Sequence, residues 1–119
     1  MKQSKIIEAY NASALLSECE ITETEQWKLY KLRKVLRSHY EFQQQREDAV
    51  REKYSSFIDD RGMIAGEKAQ EFVKDINAIG DLEVEIEEFE KPQITMIKGI
   101  TCKIIEPLED FVEFLPPAK

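Results

Sequence analysis

The sequence feature that most constrains the fold is a capped helix start followed by a long stretch without a helix breaker. Thr22 stands three residues before Glu25, a spacing at which each side chain can accept a hydrogen bond from the other residue's backbone amide. No glycine or proline follows until Gly62. This predicts one helix from Glu23 to about Phe57, which at 1.5 Å per residue is on the order of 50 Å long. A compact domain of 119 residues does not need such a helix, so we expect an elongated, helix-rich shape.

A polar stretch divides the apolar side of this helix in two. Residues 43–47 are all polar or charged and interrupt the apolar spacing. The sequence therefore predicts two packed ends joined by a more hydrated middle, and not a long coiled coil. The apolar positions on the two sides of this stretch are Leu29, Leu32, Leu36, Tyr40, Val50, Tyr54 and Phe57.

A shorter helix is predicted on each side of the long one. The first runs from about Lys5 to Ser17 with Ser4 as its N-cap, and the third runs from about Glu67 to Ala78 with Gly80 as a left-handed C-cap. The connections are short, which makes consecutive helices antiparallel neighbours. We expect the first helix to cover the first half of the long helix and the third helix to cover its second half.

After Gly80 the hydropathy pattern changes from a helical period to a strand period. Apolar and acidic residues alternate over 82–87, as in a strand with one buried face. A second strand is predicted at 94–97, and a third strand or an irregular cover at 100–105, before a short helix that starts at Pro107. The predicted fold class is α+β: an antiparallel helical hairpin around one long helix, with a small C-terminal antiparallel β-sheet.

Length and composition favour a single domain over residues 1–119, with a helical part at 4–80 and an acidic β-containing part at 81–115. Residues 1–80 hold 14 acidic and 13 basic residues, whereas residues 81–119 hold 10 and 4, so almost all of the net charge of -7 lies at the C-terminal end. No apolar run is long enough for a signal peptide or a membrane span. We therefore expect a cytoplasmic protein without a membrane partner.

The charge changes sign locally within the long helix. Between Gln26 and Tyr40 the chain has five basic residues and no acidic one. At 100° per residue, the leucines fall on one side of the helix and a group of aromatic and basic residues falls on the other. We call this second side the basic aromatic face, and its residues are Trp27, Tyr30, Lys31, Lys34 and Arg37.

Several interpretations of this face remain open. The acidic C-terminal segment could fold over it, or it could stay exposed and bind a protein partner, since Trp, Tyr and Arg anchor interfaces. Nucleic acid is a less favoured partner because the chain is acidic, and the acidic segment could instead imitate nucleic acid. We also predict a homo-oligomer with Tyr54 and Phe57 as contacts, because the long helix should leave apolar positions uncovered.

No catalytic, cofactor or metal motif accompanies the face. The sequence has no phosphate-binding glycine loop, GxSxG turn, HExxH helix or CxxC pair. The single histidine, His39, lies near the leucine side without a serine or cysteine nucleophile at helical spacing, which is typical of a packing residue. We therefore predict a protein that is not an enzyme and that uses no cofactor and no metal.

Four short patterns along the chain carry a resemblance to known proteins. They are the helix opening at 21–32, the helix end at Lys53 and Tyr54, the glycine turn at 61–62 and the acidic alternation at 82–86. In these patterns and their order, the chain resembles a group of small phage and prophage proteins of unknown function from viruses of Gram-positive bacteria. The resemblance spans most of the chain and implies a phage-encoded, non-enzymatic protein of the host cytoplasm, either an assembly accessory or an inhibitor of a host system.

Overall fold

The long helix starts with the capping pair that the sequence predicts. In the computed structural model, which describes residues 1–117, the Thr22 hydroxyl accepts a hydrogen bond from the Glu25 amide at 3.1 Å, and the Glu25 carboxylate accepts one from the Thr22 amide at 2.8 Å. Helix α2 spans Glu23–Lys53, and a single 3-10 turn follows at Ser55–Phe57. The α-helix thus ends slightly earlier than predicted, and the tighter turn takes up the last residues.

Two flanking helices form at the predicted places, but both of their predicted caps are wrong. Helix α1 spans Gln3–Ser17, so Ser4 lies inside it, and the cap position belongs to the extended backbone of Lys2. Helix α3 spans Glu67–Gly80 and includes the glycine in helical conformation, without a positive φ angle. Neither the backbone nor the space requires a glycine there, because a β-carbon on Gly80 would lie 3.4 Å from Cβ of Ser4 in α1, an ordinary contact.

Helix α1 packs antiparallel on the first half of α2, as predicted. The Gln3 Nε2 atom donates to the His39 carbonyl at 2.7 Å, and the Gln26 Nε2 atom donates to the Ser17 carbonyl at 2.9 Å, so the two helices run in opposite directions. Between these contacts the apolar side chains of both helices are buried in the main core. They are Ile6, Ala9, Ala12 and Leu16 of α1 and Leu29, Leu32 and Leu36 of α2.

Helix α3 packs on the second half of α2 through a smaller cluster, again as predicted. Val50, Tyr54 and Ile79 are the buried members of this cluster in the described chain. The ring of Tyr54 meets Phe72 edge to face with 5.7 Å between centroids, and its hydroxyl donates to Asp75 Oδ2 at 2.7 Å. One aromatic residue therefore joins the two helices by both apolar packing and a charged hydrogen bond.

The two clusters are separate along α2, and the polar stretch 43–47 lies between them, as predicted. The molecule measures 58 × 29 × 19 Å with a radius of gyration of 17.7 Å. A compact domain of this length has a radius of gyration of about 13.5 Å. The predicted elongated shape is thereby confirmed. We call residues 46–80, which comprise the end of α2, the 3-10 turn, a loop and α3, the distal arm.

The C-terminal part differs from the prediction. Strands β1 (Gln93–Thr95) and β2 (Glu113–Leu115) pair in parallel, so the predicted antiparallel sheet is wrong. Parallel strands need a crossover, and helix α4 (Cys102–Leu108) supplies it while packing on α1. Most of the segment 100–105, predicted as a strand or irregular cover, is thus helical, and Pro107 lies inside α4 and does not begin a final helix.

The predicted strand at 82–87 does not form. This segment makes a single isolated antiparallel bridge, between Lys2 and Glu83. Val84 and Ile86 pack against the main core, while the glutamates between them are exposed. The alternation therefore predicts the inward positions of Val84 and Ile86 correctly, but Leu82 is 43% exposed, and the pattern does not show whether a partner strand exists.

Replacing Gly80 by Ala should leave the free energy of unfolding unchanged or raise it by up to about 1 kcal/mol, because an alanine restricts the unfolded chain and fits a helical position. The new β-carbon would make an ordinary contact with Ser4. Gly62→Ala is the control, since Gly62 has a φ of 76° and the same change there should be destabilising. Urea unfolding followed by circular dichroism measures both. If Gly80→Ala is as destabilising as Gly62→Ala, Gly80 is a left-handed cap after all.

The distal arm should lose stability in acid through Asp75. Hydrogen bonds from Tyr54 and then Lys53 lower the pKa of the Asp75 carboxyl group. A carboxylate with a lowered folded pKa contributes stability above its unfolded pKa of about 4 and loses it as the pH falls through the folded value. Asp75→Asn should therefore lower the melting temperature at pH 7, and this deficit should shrink below about pH 4. Asp48→Asn, which removes an exposed partner of Arg51, should have a smaller effect; equal effects at pH 7 would contradict the prediction.

Candidate protein-binding face

Helix α2 places the whole basic aromatic face on the surface. The side chains of Trp27 and Tyr30 are 58% and 45% exposed, and the three cationic residues of the face are exposed as well. The C-terminal segment instead packs into the core that contains the leucine side of α2. The acidic segment therefore does not cover this face.

The two rings of the face form an ordered pair. Trp27 and Tyr30 stack with 5.6 Å between centroids and 22° between planes. The Nζ atom of Lys31 lies 5.5 Å from the Trp27 ring centroid, and the Nζ atom of Lys34 lies 6.0 Å from the Tyr30 centroid. Each lysine follows its ring by four residues, the spacing of neighbours on one side of a helix. Such exposed cation–ring contacts contribute only about 0.5–1 kcal/mol each, so a partner can rearrange the lysines easily.

The cations of the face lack carboxylate partners of their own. Within residues 1–117, Lys31, Lys34 and Arg37 take part in no salt bridge. The neighbouring Tyr10 side chain, mainly through hydrogen bonding, raises the pKa of the Arg37 guanidinium further above its ordinary value. The face thus presents positive charge that no salt bridge within the described part of the chain neutralises.

Arg33, which belongs to the same basic run, is held by α1 and is not part of the face. Its Nε atom donates to Ser13 Oγ at 3.2 Å, and its guanidinium carbon lies 5.3 Å from the Tyr10 ring centroid. Tyr10 in turn stacks on Tyr40 with 4.8 Å between centroids. This guanidinium therefore stabilises the packing of α1 on α2.

Glu25 has a role that the sequence does not reveal. Besides its capping bond, its second carboxylate oxygen accepts a hydrogen bond from the Thr95 amide of β1 at 2.7 Å. Partial burial by itself raises the pKa of Glu25, but the hydrogen bonds from the Thr22 and Thr95 amides outweigh burial and lower it. The start of α2, two residues before Trp27, is thus attached to β1. No local pattern signals a contact between residues so distant in the chain.

The other residues singled out from the sequence lie away from the face. Tyr54, a predicted oligomer contact, is only 4% exposed and packs inside the distal arm. Phe57 is exposed, with the Nζ atom of Lys68 at 4.9 Å from its ring centroid. His39 is half-buried and offers its backbone carbonyl to Gln3. Of the predicted oligomer contacts, therefore, Phe57 is the one whose ring is open to solvent.

Residues 1–117 contain no cluster of three or more His, Cys, Asp or Glu side chains that could hold a metal ion. In the same part of the chain, no helix is both long and apolar enough to cross a membrane. No protein-family model, curated protein or solved structure matches this chain. Its function is therefore inferred from the chemistry of its own surface.

Replacing Trp27 by Ala should change the free energy of unfolding by less than about 1 kcal/mol, as expected for an exposed side chain. Leu29→Ala is the control on the opposite side of the same helix, where full burial predicts a loss of roughly 2–5 kcal/mol. Urea unfolding followed by circular dichroism compares them without depending on the single tryptophan. Equal losses in the two variants would show that Trp27 is buried in solution.

Proposed function

We propose that this chain is a non-enzymatic protein-binding accessory or inhibitor, encoded by a phage and acting in the cytoplasm of its bacterial host. The observation that carries the proposal is the exposed, stacked pair of Trp27 and Tyr30, flanked by cations without a carboxylate partner in the described chain. Trp, Tyr and Arg dominate the binding energy of protein interfaces. A partner that covers the two rings would remove their apolar surface from water, which is favourable in free energy. In the isolated chain this surface stays in contact with water.

Charge defines the kind of partner that fits this face. The face is positive although the whole chain has a net charge of -7. At physiological ionic strength, exposed charges farther apart than about 8 Å are largely screened, so the local cations direct docking more than the net charge does. An apolar pocket with acidic residues around it would complement both the rings and the cations.

The phage origin and the host cytoplasm come from the resemblance in the order of elements. The same resemblance favours an assembly accessory or an inhibitor of a host system. The proposal assigns no catalytic residue and no cofactor to the face.

Nucleic acid is the alternative partner for the same face, because cations and aromatic rings together bind phosphates and stacked bases. Two observations weigh against it. The rings of Trp27 and Tyr30 stack on each other, which leaves less of each ring open to a base. Ten acidic residues follow position 80, and they weaken attraction to a polyanion.

The acidic segment offers a different candidate surface. Glu83, Glu85 and Glu87 are exposed at alternate positions of the acidic segment and so concentrate negative charge on the surface there. Such a charged segment could occupy the basic groove of a nucleic-acid-binding protein by imitating its ligand. In that case this segment, and not the basic aromatic face, would carry the binding.

Capture from a lysate of a Gram-positive host tests the face. Immobilised wild-type protein is compared with Trp27→Ala and with the double variant Lys31→Glu/Lys34→Glu, and captured proteins are identified by mass spectrometry. We expect both variants to stay folded and to lose a protein that the wild type retains. The double variant Lys98→Glu/Lys103→Glu is the control, because it makes the same charge change at exposed lysines outside α2. This control should still retain the captured protein. Retention by all variants would exclude the face as the binding surface.

Two further comparisons decide between the alternatives. The acidic segment carries the binding if Glu85→Gln/Glu87→Gln loses the captured protein while the variants of the basic aromatic face retain it. A labelled oligonucleotide should not be retained at physiological salt. The result that would favour nucleic acid over a protein partner is tight retention that weakens steeply as salt is added. In Lys31→Glu/Lys34→Glu this salt dependence should then be less steep.

A further inference from the structure

The distal arm exposes apolar side chains next to a groove. Met63 and Val73 are 63% and 53% exposed, and Ile58 is exposed beside them. Together with Ala69 and Phe72 they line a groove of about 360 Å³ between α3 and the loop that follows the 3-10 turn. This apolar surface lies on a different part of the chain from the basic aromatic face.

The groove stays open because the arm lacks a third layer. On the first half of α2, the main core holds fourteen buried apolar residues of the described chain, drawn from α1, α2, the connection between them and the C-terminal part. In the arm, the corresponding cluster holds three. Helix α1 reaches α3 at Gly80, which is the C-terminal end of α3. Two packed helices bury one seam between them, whereas helical bundles close a core with further helices.

The surface of the chain is larger than a compact monomer needs. The accessible area is 8388 Å². A compact monomer of this mass exposes about 6,700 Å², so the excess is about 1,700 Å². Each subunit contributes about 800 Å² to an interface of standard size. One interface of standard size would therefore bury about half of this excess.

The charge of the arm suits a second copy of the same chain. Residues 46–80 hold six basic and eight acidic residues, so the arm carries both signs of charge and a smaller excess of acid than the C-terminal part, where ten acidic residues face four basic ones. Charges near the groove are paired within the chain, with Lys68 at 3.1 Å from Glu71 and Arg51 at 3.0 Å from Asp48. Two copies can approach here without the repulsion between like charges that their acidic C-terminal parts would cause.

We propose that two copies of this chain form a homodimer through their distal arms. In a two-fold interface the same patch is used on both sides, so the Val73 side of α3 in one copy covers the groove of the other. The ends of α2 and the α3 helices of the two copies then form a four-helix arrangement that closes the core. The contacts are Ile58, Met63, Ala69 and Val73, and they replace both predicted contacts, since Tyr54 is buried and Phe57 does not line the groove. This dimer is independent of the partner bound at the basic aromatic face.

Sedimentation equilibrium of the full chain, from about 1 to about 100 µM, tests the dimer over the range where weak and moderate affinities are measurable. We expect the wild type to dimerise and Val73→Lys to weaken dimerisation at least about tenfold, since it places a charge at the centre of an apolar contact. Leu15→Lys is the matched control, because Leu15 is 48% exposed on α1, outside the arm, and it should dimerise like the wild type. A wild type that is monomeric at the highest concentration overturns the proposal.

A second variant and a cross-link keep the test decisive if Val73→Lys is poorly folded by circular dichroism. Met63→Lys in the loop should weaken the dimer in the same way. The cross-link uses a chain in which Cys19→Ser and Cys102→Ser remove the native thiols. In this chain, Val73→Cys should give a disulfide-linked dimer under mild oxidation, and the control Lys98→Cys should not. Dimers that survive both lysine variants, or that are lost with Trp27→Ala, would refute the arm interface. So would a wild-type monomer whose Val73 side captures a host protein instead.

Discussion

The way in which helix α2 is covered along its length determines the rest of this structure. With 31 residues, α2 is about 46 Å long, whereas α1 and α3, with 15 and 14 residues, are each about half that length. Neither short helix can cover α2 alone, but placed end to end they nearly match it. They accordingly pack one after the other, α1 on the leucine side of the first half and α3 on the second half. One continuous helix thus connects two apolar clusters that share no core.

The two exposed surfaces of the molecule have the same origin. In the first half of α2, α1 and the C-terminal part cover the leucine side, which leaves the opposite side with Trp27 and Tyr30 in solvent. In the second half, α3 is the main cover, and the groove beside Val73 stays open. If the arms pair as proposed, a dimer would carry two basic aromatic faces. A partner with two binding sites would then bind the dimer more tightly than it binds a single copy of the chain.

The helical half can be predicted from the sequence because its signals are local. The capping pair, the lack of glycine and proline, and the leucine spacing all act within one or two turns. The C-terminal part depends on distant contacts, such as the bond from the Thr95 amide to Glu25 and the parallel pairing of 93–95 with 113–115, for which no local pattern exists. Helical geometry likewise identifies which residues share the basic aromatic face. Its exposure depends on where residues 81–117 pack, and a local pattern does not contain that information.

Hydrogen exchange along α2, followed by mass spectrometry on dilute protein, tests most directly whether two separate cores stabilise this helix. Amides of residues 29–40 should exchange with opening energies close to the global stability, and those of residues 46–53 should exchange at least about tenfold faster, since the smaller cluster opens locally. Ile79→Ala should accelerate exchange in the second segment and leave the first unchanged. Uniform protection along α2, or acceleration of both segments by Ile79→Ala, would show that the helix is stabilised by one cooperative core.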